Sequence, residues 1–130
     1  MVTERRKKVL IVDDESIMIS VIQRHVSNAG YDFDVASNGQ EALDKINKEV
    51  PDMVLLDLMM PGLNGFETCR RIRANEKTKK LPVVIVTALH SDSDSSDAAS
   101  CGANEFLVKP VEGTLLAKTL RHYIGSPFRV

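Results

Sequence analysis

Five short apolar runs at near-regular intervals constrain this chain more than anything else in it: VLIV at 9–12, FDVAS at 33–37, MVLL at 53–56, VVIV at 83–86 and FLV at 106–108. Four of them are nearly unbroken rather than alternating, the pattern of strands covered on both faces. Between them the apolar residues take helical spacing. Met18, Val21, Ile22, His25, Val26 and Ala29 form one stripe, closed by Gly30, and Ala42, Leu43 and Ile46 form a second, opened by Asn38. Phe66, Cys69 and Ile72 form a third after Gly65, and Leu115, Leu116, Leu120 and Tyr123 a last one, stopped at Gly125. The stretch SDSDSSDAAS at 91–100 stands where a fourth helix belongs. Serine and aspartate suit caps better than helix interiors, so the choice there is between a helix with a frayed start and a plain surface loop. Strand and helix alternate five times, which predicts an α/β fold: a doubly wound, parallel, five-stranded sheet with helices on both faces.

The 130 residues suffice for one domain with a substantial core, expected over residues 1–125, with 126–130 as a C-terminal tail or the start of a linker. Seventeen Lys and Arg against eighteen Asp and Glu leave a net charge of -1. That balance, without a basic stripe or a helix-turn-helix pattern, argues against direct binding of nucleic acid or of a membrane surface. The basic lead-in MVTERRKK is followed by only VLIV before two aspartates, too short an apolar region for a secretory signal. No run approaches the roughly 20 apolar residues that span a bilayer. Cys69 and Cys101 have neither metal-ligand spacing nor the density of a disulfide scaffold. A cytoplasmic location with two small packed thiols is the expectation.

Chemistry gathers where the strands end. The first run stops at Asp13-Asp14, the third at Asp57, the fourth at Thr87 and the fifth at Lys109. In an open parallel sheet these ends share one edge, outside which ligands bind. Taken singly, each has a plainer reading: Asp14 as a helix cap, Asp57 as a turn former, Thr87 as a strand-end hydroxyl, Lys109 as a solvated charge. Together they place three carboxylates beside one ammonium. Like charges ~4 Å apart repel by several kcal/mol at an effective dielectric near 20, so such carboxylates take up protons, separate or share a cation. A hard divalent cation with oxygen ligands fits, Mg²⁺ first and Mn²⁺ as an alternative. A carboxylate beside a metal, a lysine and a hydroxyl can attack phosphorus and hold an aspartyl phosphate.

These residues carry a resemblance. VDDE at 12–15, DLMMPGLNG at 57–65, VTA at 86–88 and GANEFLVKP at 102–110, in this order and spacing, resemble the receiver domain of response regulators in two-component signalling, over essentially the whole chain. The resemblance implies a flavodoxin-like (βα)5 fold with strand order 2-1-3-4-5. It implies that Asp57 accepts a phosphoryl group from the phosphohistidine of a sensor histidine kinase or a histidine phosphotransfer protein. Asp14, Asp57 and the backbone carbonyl of Met59 would ligate the metal, with Asp13 acting through a bound water. Lys109 would pair with the phosphoryl group, its bond to Pro110 being cis, while Thr87 and the aromatic Phe106 would form the switch. Phe106 lacks the hydroxyl of the tyrosine often found there, so packing alone would hold it inward. The face made by the fourth predicted helix, the fifth strand and the last helix would report to a downstream protein or output domain, and homodimerisation through it is a further expectation. Met59 and Leu89 are apolar and cannot orient a water, which predicts slow self-dephosphorylation.

Other readings fare worse. Aspartate-nucleophile phosphatases of the haloacid-dehalogenase type usually carry a second Asp two residues after the nucleophile, where this chain has Met59. A flavodoxin would want a Ser, Thr and Gly-rich phosphate loop after the first strand, where Asp13-Asp14-Glu15 would repel it. A pseudo-receiver that binds partners without chemistry is the remaining alternative, although every chemical position is filled. The expectation is a signalling phosphoacceptor, not an enzyme that turns over a substrate.

Overall fold

The computed structural model describes residues 5–88 and 100–129. Five strands, β1 (Lys8–Val12), β2 (Asp32–Ala36), β3 (Met53–Leu56), β4 (Val83–Thr87) and β5 (Glu105–Val108), form one parallel sheet in the order β2-β1-β3-β4-β5. Four helices are described: α1 (Ser16–Asn28), α2 (Gly39–Lys48), α3 (Gly65–Ala74) and α4 (Gly113–Ile124). This is the flavodoxin-like arrangement expected. The fourth predicted helix falls outside the described residues save at Ser100, as does Leu89 altogether.

The central strands β1, β3 and β4 each feed two cores, which is why their sequences read as unbroken apolar runs. Leu10, Val12, Val54, Leu56, Val83 and Ile85 face one side, packed with Ala42 and Ile46 of α2 and with Cys69 and Ile72 of α3. Their neighbours Val9, Ile11, Met53, Leu55, Val84 and Val86 face the other, against Ile22 and Val26 of α1 and Leu116 and Leu120 of α4. Each such side chain contributes roughly 1.5–3 kcal/mol on burial. Two stripe residues depart from the expected pattern. Val21 and Leu115 are exposed, because the buried seams of α1 and α4 are narrower than their apolar stripes.

Asn38 and Asn64 cap α2 and α3, accepting hydrogen bonds from the amides of Glu41 at 2.8 Å and Glu67 at 3.0 Å. By contrast α1 starts at Glu15 without a side-chain cap, so Asp14 is left to another purpose. The segment beyond α4, read from sequence as a tail or linker, turns back along the lead-in to β1. The amide of Lys7 donates to Pro127 O at 2.7 Å and that of Arg129 to Arg5 O at 3.0 Å, while Tyr31 Oη donates to Gly125 O.

Candidate functional site

The sheet's hydrogen-bond ladder runs one residue past the strand ends, and this fixes the polar residues beyond them. The amide of Asp13 donates to Ala36 O at 3.1 Å, that of Asp57 to Val12 O at 3.0 Å, and that of Lys109 to Thr87 O at 2.8 Å. Three of the four predicted endings are thereby pinned to a neighbouring strand, and the fourth, Thr87, is the last residue of β4. The Lys109–Pro110 peptide is cis. Gly65 lets the loop after Asp57 close tightly, since a Cβ there would lie 2.2 Å from Asp57 O. Its amide donates to Leu58 O at 3.1 Å.

One edge of the sheet therefore holds all five expected side chains. Carboxylate oxygens of Asp13, Asp14 and Asp57 lie within 4.8 Å of one another. Asp13 and Asp57 are buried, 1% and 4% exposed, and Asp14 faces solvent. The ammonium of Lys109, also buried, contacts Asp13 Oδ2 at 2.6 Å and lies 3.7 Å from Asp57 Oδ2. Thr87 is fully buried, and its hydroxyl hydrogen-bonds the Asp57 carboxyl. Met59 presents its amide to Asp57 Oδ1 at 3.5 Å and its thioether to solvent, 62% exposed. Phe106 packs, partly buried, against the core on the α2–α3 side of the sheet.

Glu15 was not singled out by the sequence reading. Its amide holds Asp13 Oδ1 at 3.0 Å and its carboxylate stands 3.9 Å from Lys109 Nζ. The signal was present as the third acid of the Asp13-Asp14-Glu15 run, but nothing in the spacing says which of three successive acids turns back onto its own neighbour.

The electrostatics are unbalanced. Burial lifts the Asp57 carboxyl above the usual carboxylate range; Lys109 pulls it down, the charge of Asp13 pushes it further up, and hydrogen bonds from the Met59 amide and the Thr87 hydroxyl pull it back without prevailing. Three acids face one lysine in a mostly dry recess. All the donors are oxygens, a set that suits a hard divalent cation and not a soft one. The residues present fit Mg²⁺.

The family model of the response regulator receiver domain matches residues 9–121. The chain is 36% identical over 104 residues to the alkaline phosphatase synthesis transcriptional regulatory protein PhoP of Bacillus subtilis, covering 80% of this chain and 42% of that protein. It spans about a quarter to about half the length of the curated relatives it matches. Among solved structures it is similar to the chemotaxis protein CheY4 of Vibrio cholerae, with TM-score 0.85, 32% identity, and 91% of this chain and 98% of that one covered. It is also similar to the receiver domain of the sensor histidine kinase PA1611 of Pseudomonas aeruginosa, with TM-score 0.87, 28% identity, and 93% and 99% covered. That structure is described with a magnesium ion coordinated in its active site cleft.

Proposed function

The chain belongs to the response regulator receiver domain family, and on that premise we propose that it takes a phosphoryl group from a phosphohistidine onto Asp57. The observation that carries this reading is the Asp57 carboxyl itself: buried, held by backbone and hydroxyl donors, and grouped with two further carboxylates and one ammonium. A carboxylate oxygen of Asp57 attacks phosphorus, and the P–O bond forms as the P–N bond to the donor imidazole breaks. Lys109 moves its ammonium from Asp13 toward the phosphoryl oxygens, which the 3.7 Å gap to Asp57 makes a short displacement. Thr87 donates its hydroxyl to a phosphoryl oxygen in place of the carboxyl. Asp14, Asp57 and the Met59 carbonyl would hold Mg²⁺ directly and Asp13 through water, and the ion would neutralise charge on the transferring group.

The protein acts as a phosphoacceptor that catalyses its own transfer and slow hydrolysis, and it does not turn over a separate substrate. A histidine kinase or phosphotransfer protein supplies the group. The inward position of Thr87 relative to Phe106 then reports it through β5 and α4 to a downstream protein, an output domain or a second copy of the chain. Exposed Val108 and Leu115 lie on these two elements.

Incubation with Mg²⁺ and a small acyl phosphate, followed by intact-mass analysis, is the test. One added phosphoryl group is expected, lost in Asp57→Asn and in chelator. No addition to the native chain would leave the pseudo-receiver reading instead. Hydrolysis is expected to be slow because the exposed thioether of Met59 offers no hydrogen bond to a water. Met59→Asn should shorten the phosphoryl lifetime ~10-fold, the worth of about one oriented hydrogen bond.

A further inference from the structure

The chain's two cysteines, 32 residues apart, meet in the core. The Cys69 thiol on α3 donates to Cys101 O at 3.3 Å, which sets its sulfur against the residue that carries the second thiol. Both cysteines belong to the apolar core on the α2–α3 side of the sheet, with Met60 and Ile72 among its members. The turn that carries Cys101 is held firmly. Arg73 donates through Nε to Gly102 O at 2.8 Å, through Nη1 to Leu81 O at 2.6 Å and through Nη2 to Asn104 Oδ1 at 2.7 Å. The turn that carries Cys101 is therefore kept against Cys69 by a clamp that involves neither sulfur.

We infer that Cys69 and Cys101 form a peroxide-oxidised dithiol, closing to a disulfide that ties α3 to the turn entering β5. The two thiols are not equivalent. Cys69 commits its proton to Cys101 O. The contact between the two side chains disfavours the Cys69 thiolate and favours that of Cys101, burial opposes both, the Ala103 amide favours Cys101, and the Arg70 guanidinium favours both. Cys101 is thus the nucleophile and Cys69 the resolving partner. The Cys101 thiolate attacks a peroxide oxygen and the O–O bond breaks. A sulfenic acid results, and the leaving hydroxide takes a proton as water. The Cys69 sulfur then attacks the sulfenic sulfur, and a second water leaves with the thiol proton. Two thiols and one hydroperoxide give one disulfide and two waters. Phe106 lies five residues beyond Cys101, so the closed form anchors the strand that would carry the switch. The step involves no phosphoryl chemistry and stands or falls separately from it.

The test treats the whole native chain with hydrogen peroxide, alkylates the remaining thiols in denaturant and maps the peptides. Loss of two hydrogens, a Cys69–Cys101 linked peptide and recovery with a dithiol reductant are expected. In Cys69→Ser, dimedone should trap a sulfenic acid on Cys101; in Cys101→Ser, Cys69 should stay a thiol at the same dose. Cys→Ala versions replace any serine variant that does not fold. Exposed Met59 serves as an internal clock: if it is oxidised while both cysteines are recovered as thiols, the proposal is overturned. Links only between molecules, or equal reactivity of the two single variants, overturn it as well.

Discussion

The two edges of the sheet handle charge in opposite ways. At the amino edge, below the strand starts, Asp52, Arg73 and Arg6 are each met by hydrogen-bond partners. Asp52 accepts from the Lys8 amide at 2.8 Å and from Arg129 at 2.6 Å, and Arg73 caps the turn before β5. Arg6 donates to Gly30 O at 3.2 Å and lies over the Phe128 ring. At the carboxyl edge three acids share one lysine, two of them buried more deeply than any acid at the other edge. No buried side-chain polar atom among the described residues lacks a hydrogen-bond partner, so the carboxyl edge is short of positive charge and not of hydrogen bonds. Stability is built at one edge, and a standing demand for a cation at the other.

This contrast can be broken by substitutions whose effects differ with magnesium. The largest effect is expected for Lys109→Ala, which leaves two buried carboxylates without their ammonium. In metal-free protein it should cost about 3–5 kcal/mol in a denaturant melt, and millimolar Mg²⁺ should restore part of that. Arg73→Ala should cost about 2 kcal/mol through the lost charged hydrogen bonds, with or without Mg²⁺; a cost that magnesium relieves equally would erase the distinction between the edges.

Asp57→Asn should do the reverse and stabilise the metal-free protein at neutral pH, on the order of 1 kcal/mol, by removing a buried charge beside Asp13. The sign follows from its suppressed ionisation, burial being the main cause. The folded state holds the Asp57 proton above the ordinary value of 3.8, so this group's share of stability is intact below that pH and is lost as pH rises through the raised value. The variant's advantage should therefore vanish in acid, and melts at pH 3 and pH 7 check it. The smallest change belongs to Asp52→Ala, about 1 kcal/mol or less at a partly exposed pair, unaffected by magnesium at either pH.

Much of the carboxyl edge was legible in the sequence, because a parallel sheet puts every strand end on one side and the endings Asp13-Asp14, Asp57, Thr87 and Lys109 each interrupt an apolar run. The amino edge was not. Arg73 sits among Arg70 and Arg71 on α3, and no periodicity marks it as the one that reaches Leu81, Gly102 and Asn104. The meeting of Cys69 with Cys101 and the return of residues 126–129 to the lead-in are equally silent, since both depend on contacts between segments far apart in the chain. Burial went astray where apolar character overstated it, at Val21 and Leu115.

The amides of Asp13, Asp57 and Lys109 are each engaged by the adjoining strand. Drift in the loops beyond them can alter which molecules approach without displacing the reacting atoms. A lineage can thus acquire new upstream donors by remodelling its surface while inheriting its chemistry unchanged.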